Sequence, residues 1–332
     1  MEEIISLDYG SGGKKTARLI ETLILPRLDN PALRELGDGA IVDGGEKLVF
    51  STDSFVVSPL FFPGGDIGKL SVCGTVNDLS MCGAEPKYLS CSFIIEEGFP
   101  LSELERIVAS MAAQCGKAGV QIVTGDTKVV EKGRGDGLYI NTAGIGILRH
   151  PGLGPETIRP GDRVIISGFV GDHGTAVMLA RNRMMQGEIA SDCAALNGLT
   201  EAILSAAPGV RVLRDPTRGG VATTLNEFVE GTALGIELEE ARIPVRPQVQ
   251  AACDMLGLDP LYCANEGKLL AVVAPEAAEA VLTAMRSHEL GVDAAVIGQV
   301  TERYPGKLTL HTAFGGSRVL QKLSGAQLPR IC

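Results

Sequence analysis

The sequence predicts an α+β fold in two domains, and three observations carry that prediction. Segments with a helical period are mixed with short apolar runs of strand length, without strict alternation. A loop rich in proline and glycine, "RHPGLGPETIRPGD", parts the chain near residues 150–162 into halves of similar style. The length of 332 residues, 45% of them hydrophobic and 21% charged, suits two folded domains of ordinary size. The expected division is 1–150, 151–320 and a mobile tail, 321–332.

The elements follow in order. "KKTARLIETLILPRL" is an amphipathic helix with Ala17, Ile20, Leu23, Ile24 and Leu28 on one face. "KLVFSTDSFVVSP" is a strand with a polar interruption at Thr52–Ser54, and "IGKLSVCGTVNDLSMCG" is a helix that carries Asn77 and Asp78. "YLSCSFII" is a strand. "LSELERIVASMAAQCGKAG" is a helix in which Ser102 and Glu105 fit a capping box and Gly116 or Gly119 can stop it. Strands at "VQIVTGD" and "LYINTAGIGIL" complete the first half. In the second, "RVIISG", "KLLAVVA", "AAVIGQV" and "KLTLHT" are strands, while "GTAVMLARNRMM", "RGGVATTLNEFVE" and "EAAEAVLTAMRSH" are helices. From about Gln321 no pattern remains. That stretch ends "QLPRIC" and could reach roughly 35 Å if fully extended, with Pro329 favouring an extended Leu328.

Composition removes several function classes. A formal net charge of −10 argues against polyanion binding, and the absence of tryptophan against a base-stacking surface. Forty-two glycines cluster in short turns, where backbone can approach a ligand closely. The start "MEEIISLDYG" has neither a basic segment nor an apolar core, so no signal peptide is expected, and no apolar run is long enough to cross a bilayer. Eight scattered cysteines without C-x-x-C spacing read as reduced thiols of a cytoplasmic protein.

Four aspartates mark the first half: Asp38 in "LGDGA", Asp53 in "STDS", Asp78 in "NDLS" and Asp126 in "GDTK". An aspartate beside a glycine is ordinarily a turn residue. Several carboxylates brought together, however, repel unless cations bridge them, and Mg²⁺ shares oxygen ligands with substrate phosphates. "GSGGKKT" lacks the P-loop spacing; it is either a flexible segment or a flap whose amides, with Lys14 or Lys15, close over phosphates. "SGFVGDHGTAV" reads as a strand-to-helix turn, and His173 within it has no companion histidine for zinc. "DPTRGG" offers Asp215 or Thr217 as a helix cap and Arg218 as a residue that could reach an anion or simply face solvent. In "NEGK", Glu266 is an exposed turn acid, or, if buried, a candidate base.

"LGDGA", "STDSFVVSP", "VNDLSMCGA", "GDTKVV", "GDHG", "DPTRGG", "NEGK" and the final "PRIC" occur in the order found in the HypE family of hydrogenase maturation proteins, which the chain resembles over nearly its whole length. That family belongs to the PurM-like ATP-binding superfamily, with aminoimidazole ribonucleotide synthetase and selenophosphate synthetase. The resemblance implies a two-domain PurM-like fold with mixed sheets packed by helices. It implies ATP and Mg²⁺ at Asp38, Asp53, Asp78 and Asp126, with Asn77 lining the site. Thr127, Lys14, Thr217 and Arg218 would contribute to nucleotide binding. Lys128 and Glu266 would face the reacting group, which Cys332 would carry. It implies a homodimer with strands packed into a shared barrel, carbamoyl transfer from HypF, and delivery of cyanide to iron on a HypC–HypD complex. "DYGSGGKK" departs from the family in having fewer glycines and no nearby histidine.

This chemistry accounts for the residue types. Hydroxide is a poor leaving group, so the oxygen of an S-carbamoyl group leaves only after phosphorylation, with charge neutralised at the transferring phosphoryl. A base must then take the nitrogen proton as C≡N forms. Two other readings are open: a PurM-like enzyme acting on a purine precursor or selenide, and a non-enzymatic scaffold whose tail docks a partner.

Overall fold

Alternating apolar residues build the first half around a four-stranded sheet whose strands lie in the order Leu48–Phe55, Leu138–Leu148, Ala84–Glu96, Gln121–Val130. The computed structural model describes residues 4–10, 14–34, 42–182, 189–323, 328 and 330–332. Helix α1 (Lys14–Leu19) runs through a π-helical turn at Ile20–Ile24 into α2 (Leu25–Leu28), and α3 (Pro31–Arg34) follows. Then come β1 (Leu48–Phe55), the short pair β2 (Phe61–Phe62) and β3 (Gly65–Asp66), α4 (Ile67–Met81), β4 (Ala84–Glu96), α5 (Leu101–Ala118), β5 (Gln121–Val130) and β6 (Leu138–Leu148). All pairings in this sheet are antiparallel except β4 with β5.

The sheet has one covered and one open face. Ser51, Asp53 and Phe55 of β1 share register with Gly144, Thr142 and Ile140 of β6, on the face that packs on α4. On the other face Leu48 is 52%, Phe50 69% and Ile94 43% exposed. Helix α4 is buried on nearly every side, because it lies between this sheet, α5 and, from the second half, the helix Asn197–Ala206 and the strand Val210–Arg214. Close approach explains its small residues: a Cβ at Gly74 would stand 2.9 Å from the Phe55 ring.

The second half contains β7 (Arg163–Ile166), α6 (Asp172–Arg181), α7 (Asn197–Ala206), β8 (Val210–Arg214), α8 (Gly220–Val229), β9 (Gly235–Glu239), α9 (Pro247–Leu256), β10 (Leu270–Val273), α10 (Ala278–Arg286), β11 (Ala295–Thr301), β12 (Leu308–His311) and β13 (Ser317–Leu320). Its seven strands run β13–β12–β9–β11–β7–β10–β8, antiparallel except for β12 with β9. The strands "RVII" and "LAVV" are continuous apolar runs because both faces are covered. Val164, Ile166, Leu270 and Val272 pack into one core with α8, and Ile165, Ala271 and Val273 into another with α7 and α10.

Several sequence expectations change. Asp53 and Asp126 lie well inside β1 and β5 and not at loop edges: β1 runs unbroken through the expected polar interruption at Thr52–Ser54, and β5 continues past Asp126 to Val130, since edge strands tolerate polar side chains without breaking the ladder. The α5 N-cap is Pro100, so Ser102 falls within the first turn; Gly119, at φ 70°, ends the helix. Gly219, not Asp215 or Thr217, caps α8. Strands β8, β9 and β13 and helices α7 and α9 add to the elements read from sequence. The glycine-rich segment 11–13 and Asp38 lie outside the described residues, as do the side chain of Lys14 and residue Pro329. Where described, the tail is seated: Ile331 is 3% exposed and packs into the core of the first half.

Candidate active site

Two elements from each half of the chain converge on one acidic site. Strand β1 supplies Asp53, whose Oδ1 accepts the amide of Ser54 at 2.8 Å. One strand position earlier on the same face, the Ser51 hydroxyl donates to Asp78 Oδ2 on α4 at 2.7 Å. The turn after β8 brings buried Asp215, and the turn before β10 brings Glu266, 2% exposed. Burial pushes the Asp53 and Asp78 carboxyls above their ordinary range; the charge of Asp78 adds to the rise at Asp53. Asp215 is raised to about 7 by burial and then by Asp78. Glu266 is raised well above an ordinary glutamate, first by burial and then by Cys193 and the neighbouring acids. Its Oε1 is buried without a hydrogen-bond partner among the described residues. The exposed guanidinium of Arg218 is a cation shared by Asp53, Asp78 and Cys332.

The last residues reach this place in their own chain. Val56 N–H donates to the Cys332 carbonyl at 3.1 Å, and Ser58 N–H to the Arg330 carbonyl at 3.2 Å. Arg330 Nε returns a bond to the Val56 carbonyl at 3.0 Å, and its guanidinium pairs with Asp136. Arg181 of α6 donates to the carbonyls of Ser58 and Arg330. Burial, with Glu266 nearby, pushes the Cys332 thiol up to about 12, so the seated thiol is neutral.

The turn holding Glu266 is fixed by backbone contacts. Its N–H donates to Asp192 Oδ1 at 3.0 Å, and Ala194 N–H donates to its carbonyl at 3.2 Å. Gly267 is required there: a Cβ would fall 1.8 Å from the Asp192 carbonyl oxygen. Asn77 was expected to line the nucleotide site. Its amide is instead engaged at both ends, accepting from Leu196 N–H at 2.8 Å and donating to the carbonyls of Ala194 at 3.1 Å and Glu266 at 3.4 Å. It is a tie between α4 and the Glu266 turn.

The structure thus gathers Asp53, Asp78, Arg218, Glu266 and Cys332, with Thr217 beside Arg218. It does not bring Asp126, Thr127 and Lys128 to them within one chain. The register Ser54–Asn141–Ser92–Asp126 puts Asp126 on the open face, across three strand spacings of about 4.8 Å from β1. There Lys128 Nζ pairs with Asp126 Oδ1 at 2.7 Å, both exposed. From sequence, Asp215 in "DPTRGG" reads only as a helix cap, and no local pattern marks Asp192 or Ser51.

The donor set fits a magnesium nucleotide in one respect and limits it in another. The crowded carboxyls keep a raised affinity for protons although Arg214 and Arg218 oppose them, which is the environment a divalent cation relieves. Among the described residues no group of three or more His, Cys, Asp or Glu could hold a metal ion unaided, so an ion there would complete its shell from phosphates and water.

Models of the AIR synthase related family match the chain twice, the N-terminal domain over residues 36–148 and the C-terminal domain over 159–311. The chain is therefore a two-domain AIR synthase-related protein, the PurM-like architecture. It is 53% identical to the carbamoyl dehydratase HypE of Cupriavidus necator, over 99% of this chain and 95% of that protein. A crystal structure of hydrogenase maturation protein HypE in complex with ATP superposes with a TM-score of 0.95 at 49% identity, covering 98% of this chain and 99% of that one. HypE within a HypE–HypF complex gives 0.80 at 48% identity, covering 92% and 99%. The chain belongs to the HypE family of carbamoyl dehydratases.

Proposed function

We propose that this chain dehydrates an S-carbamoyl group on its own Cys332 to a thiocyanate at the expense of ATP, for the cyanide ligands of [NiFe]-hydrogenase iron. The observation that carries the proposal is the seating of Cys332 among Glu266, Arg218 and Asp53. The carbamoyl oxygen attacks the γ-phosphorus of ATP, the bond to ADP breaks, and one nitrogen proton is lost. A second proton then leaves nitrogen as C≡N forms and the C–O bond breaks, releasing phosphate. Net, carbamoyl thioester and ATP become thiocyanate, ADP, phosphate and a proton. Glu266, closed from water and raised in basicity, takes the nitrogen proton. Arg218 faces the transferring phosphoryl.

Asp53, Asp78 and Asp215 would hold Mg²⁺, which when bound neutralises phosphate charge; Asp38 joins them on the family's pattern. Asp126, Thr127 and Lys128 serve in this reading from a second copy, because they stand at the far edge of the sheet. The homodimer is supported by the open sheet face with Phe50, Leu48 and Ile94 exposed, an apolar surface that a second sheet would cover. The seated thiol is neutral and a weak nucleophile, so loading requires the tail to leave, with HypF as donor. A HypC–HypD complex is the cyanide acceptor. The cytoplasm suits the free cysteines, and among the described residues no helix is long and apolar enough to cross a membrane.

The test is mass spectrometry of the C-terminal peptide after carbamoylation and ATP addition. Loss of one water mass supports the reaction; an unchanged mass with full ATP hydrolysis refutes it.

A further inference from the structure

His173 has no part in the chemistry above, yet it touches the tail beside the reacting residue. Its Nε2 lies 2.9 Å from the Ile331 carbonyl oxygen, the peptide group that joins Ile331 to Cys332. Its Nδ1 lies 2.8 Å from Ser191 Oγ, and Ser191 Oγ is 3.0 Å from the Cys193 amide. One tautomer satisfies the whole series. A carbonyl can only accept, so Nε2 carries the proton; Nδ1 then accepts the Ser191 hydroxyl, whose oxygen accepts Cys193 N–H. The ring is 0% exposed, with Phe62 edge-on at a centroid distance of 5.4 Å. Burial lowers its pKa, which keeps it in this neutral form.

An ordinary core histidine bonds to its own scaffold at both nitrogens. Here one nitrogen does so, and the other is committed to a residue 158 positions along the chain. When the tail departs, that N–H is left in a dry pocket without its acceptor, a cost that favours return. The segment that supports His173 also supports the base: Ser191 N–H donates to the Pro63 carbonyl at 2.8 Å, and the adjoining Asp192 and Ala194 hold the Glu266 turn.

We propose that His173, oriented by Ser191, is a positioning residue that latches the Ile331–Cys332 tip into the Glu266 site. The inference rests on the reading of Cys332 as the reacting residue, but its first readout does not. That readout is alkylation of Cys332 by iodoacetamide in the full chain, followed in the C-terminal peptide, with exposed Cys82 as internal control. His173→Leu should speed alkylation of Cys332 by about 10–100-fold, the loss of one buried hydrogen bond, while Cys82 is unaffected. ATP-driven dehydration of preloaded chains should fall by a similar factor. His173→Gln, whose amide can donate to the same carbonyl, should restore much of both. Ser191→Ala should shift both in the same direction by less, and it decides the matter if His173→Leu does not fold. Unchanged Cys332 reactivity in folded His173→Leu and in Ser191→Ala overturns the latch. Faster alkylation in these variants, with wild-type chains that never dehydrate the loaded tip, would keep the latch and refute the reaction instead.

Discussion

Val56 N–H and the Cys332 carbonyl are joined at 3.1 Å, so the last residue of the sequence lies alongside the end of the strand that carries Asp53. The tip and the acidic site are held by one backbone. Cys332→Ala should therefore leave nucleotide binding intact while abolishing the carbamoyl-dependent mass change. Calorimetric titration of nucleotide and mass spectrometry of the tail separate the two effects; a variant that still gives thiocyanate elsewhere would contradict the assignment.

Glu266 is expected to act after phosphorylation begins. Glu266→Gln keeps the shape and removes the base, so dehydration should slow by about 10²–10⁴-fold. Nucleotide affinity should change little, because the proton transfer is made only in the transition state. Single-turnover kinetics on preloaded chains measure this.

Asp78 is tied to Ser51 at 2.7 Å and faces Asp53 across the β1–α4 contact. Asp78→Asn removes one of the few oxyanions available to a metal-bound nucleotide. Mg-ATP affinity should drop by at least about tenfold, on the order of 1.4 kcal/mol. An unaltered titration would mean that the acidic site is not the nucleotide site.

Asp215 predicts a pH dependence in the nucleotide-free protein. Its folded pKa, about 7, is above the ordinary value of 3.8. Below about pH 4 both states hold the proton and the group costs nothing. As pH rises to about 7 the unfolded chain releases its proton while the folded chain retains it, so stability falls, then levels off. The loss is on the order of 2–4 kcal/mol. Asp215→Asn should raise the midpoint of thermal unfolding at pH 8 and flatten its decline between pH 4 and 7. Steeper pH dependence in the variant would reverse the sign of this account.

The open sheet face predicts the oligomer. Phe50→Asp places a charge at the most exposed apolar position of β1 and should convert a dimer to monomers in sedimentation velocity. A dimer unchanged by Phe50→Asp and Leu48→Asp together would place the contact elsewhere.

Much of the fold was legible because local chemistry and tertiary setting agree. The continuous runs around β7 and β10 and the amphipathic α5 read as they fold. The strands around Asp53 and Asp126 were legible, but not the unbroken run of β1 through Thr52–Ser54 or the continuation of β5 to Val130, because polar side chains at sheet edges carry no strand signature. In the site, "NEGK" showed Glu266, but only the fold decides that it is buried. Asn77 could not be told from a ligand, since its partners are backbone groups at Ala194, Leu196 and Glu266, more than a hundred positions away. Sequence motifs treat Asp126 and Lys128 as neighbours of Asp53; the register sets them on the opposite edge and face.

The intrachain seating of the tail has a kinetic consequence. If molecule and substrate are one polypeptide, diluting the protein leaves the rate of the loaded step per chain untouched, whereas recharging the thiol is a second-order encounter that slows in proportion. Each chain then fires once per visit from its donor, and output counts copies of the protein.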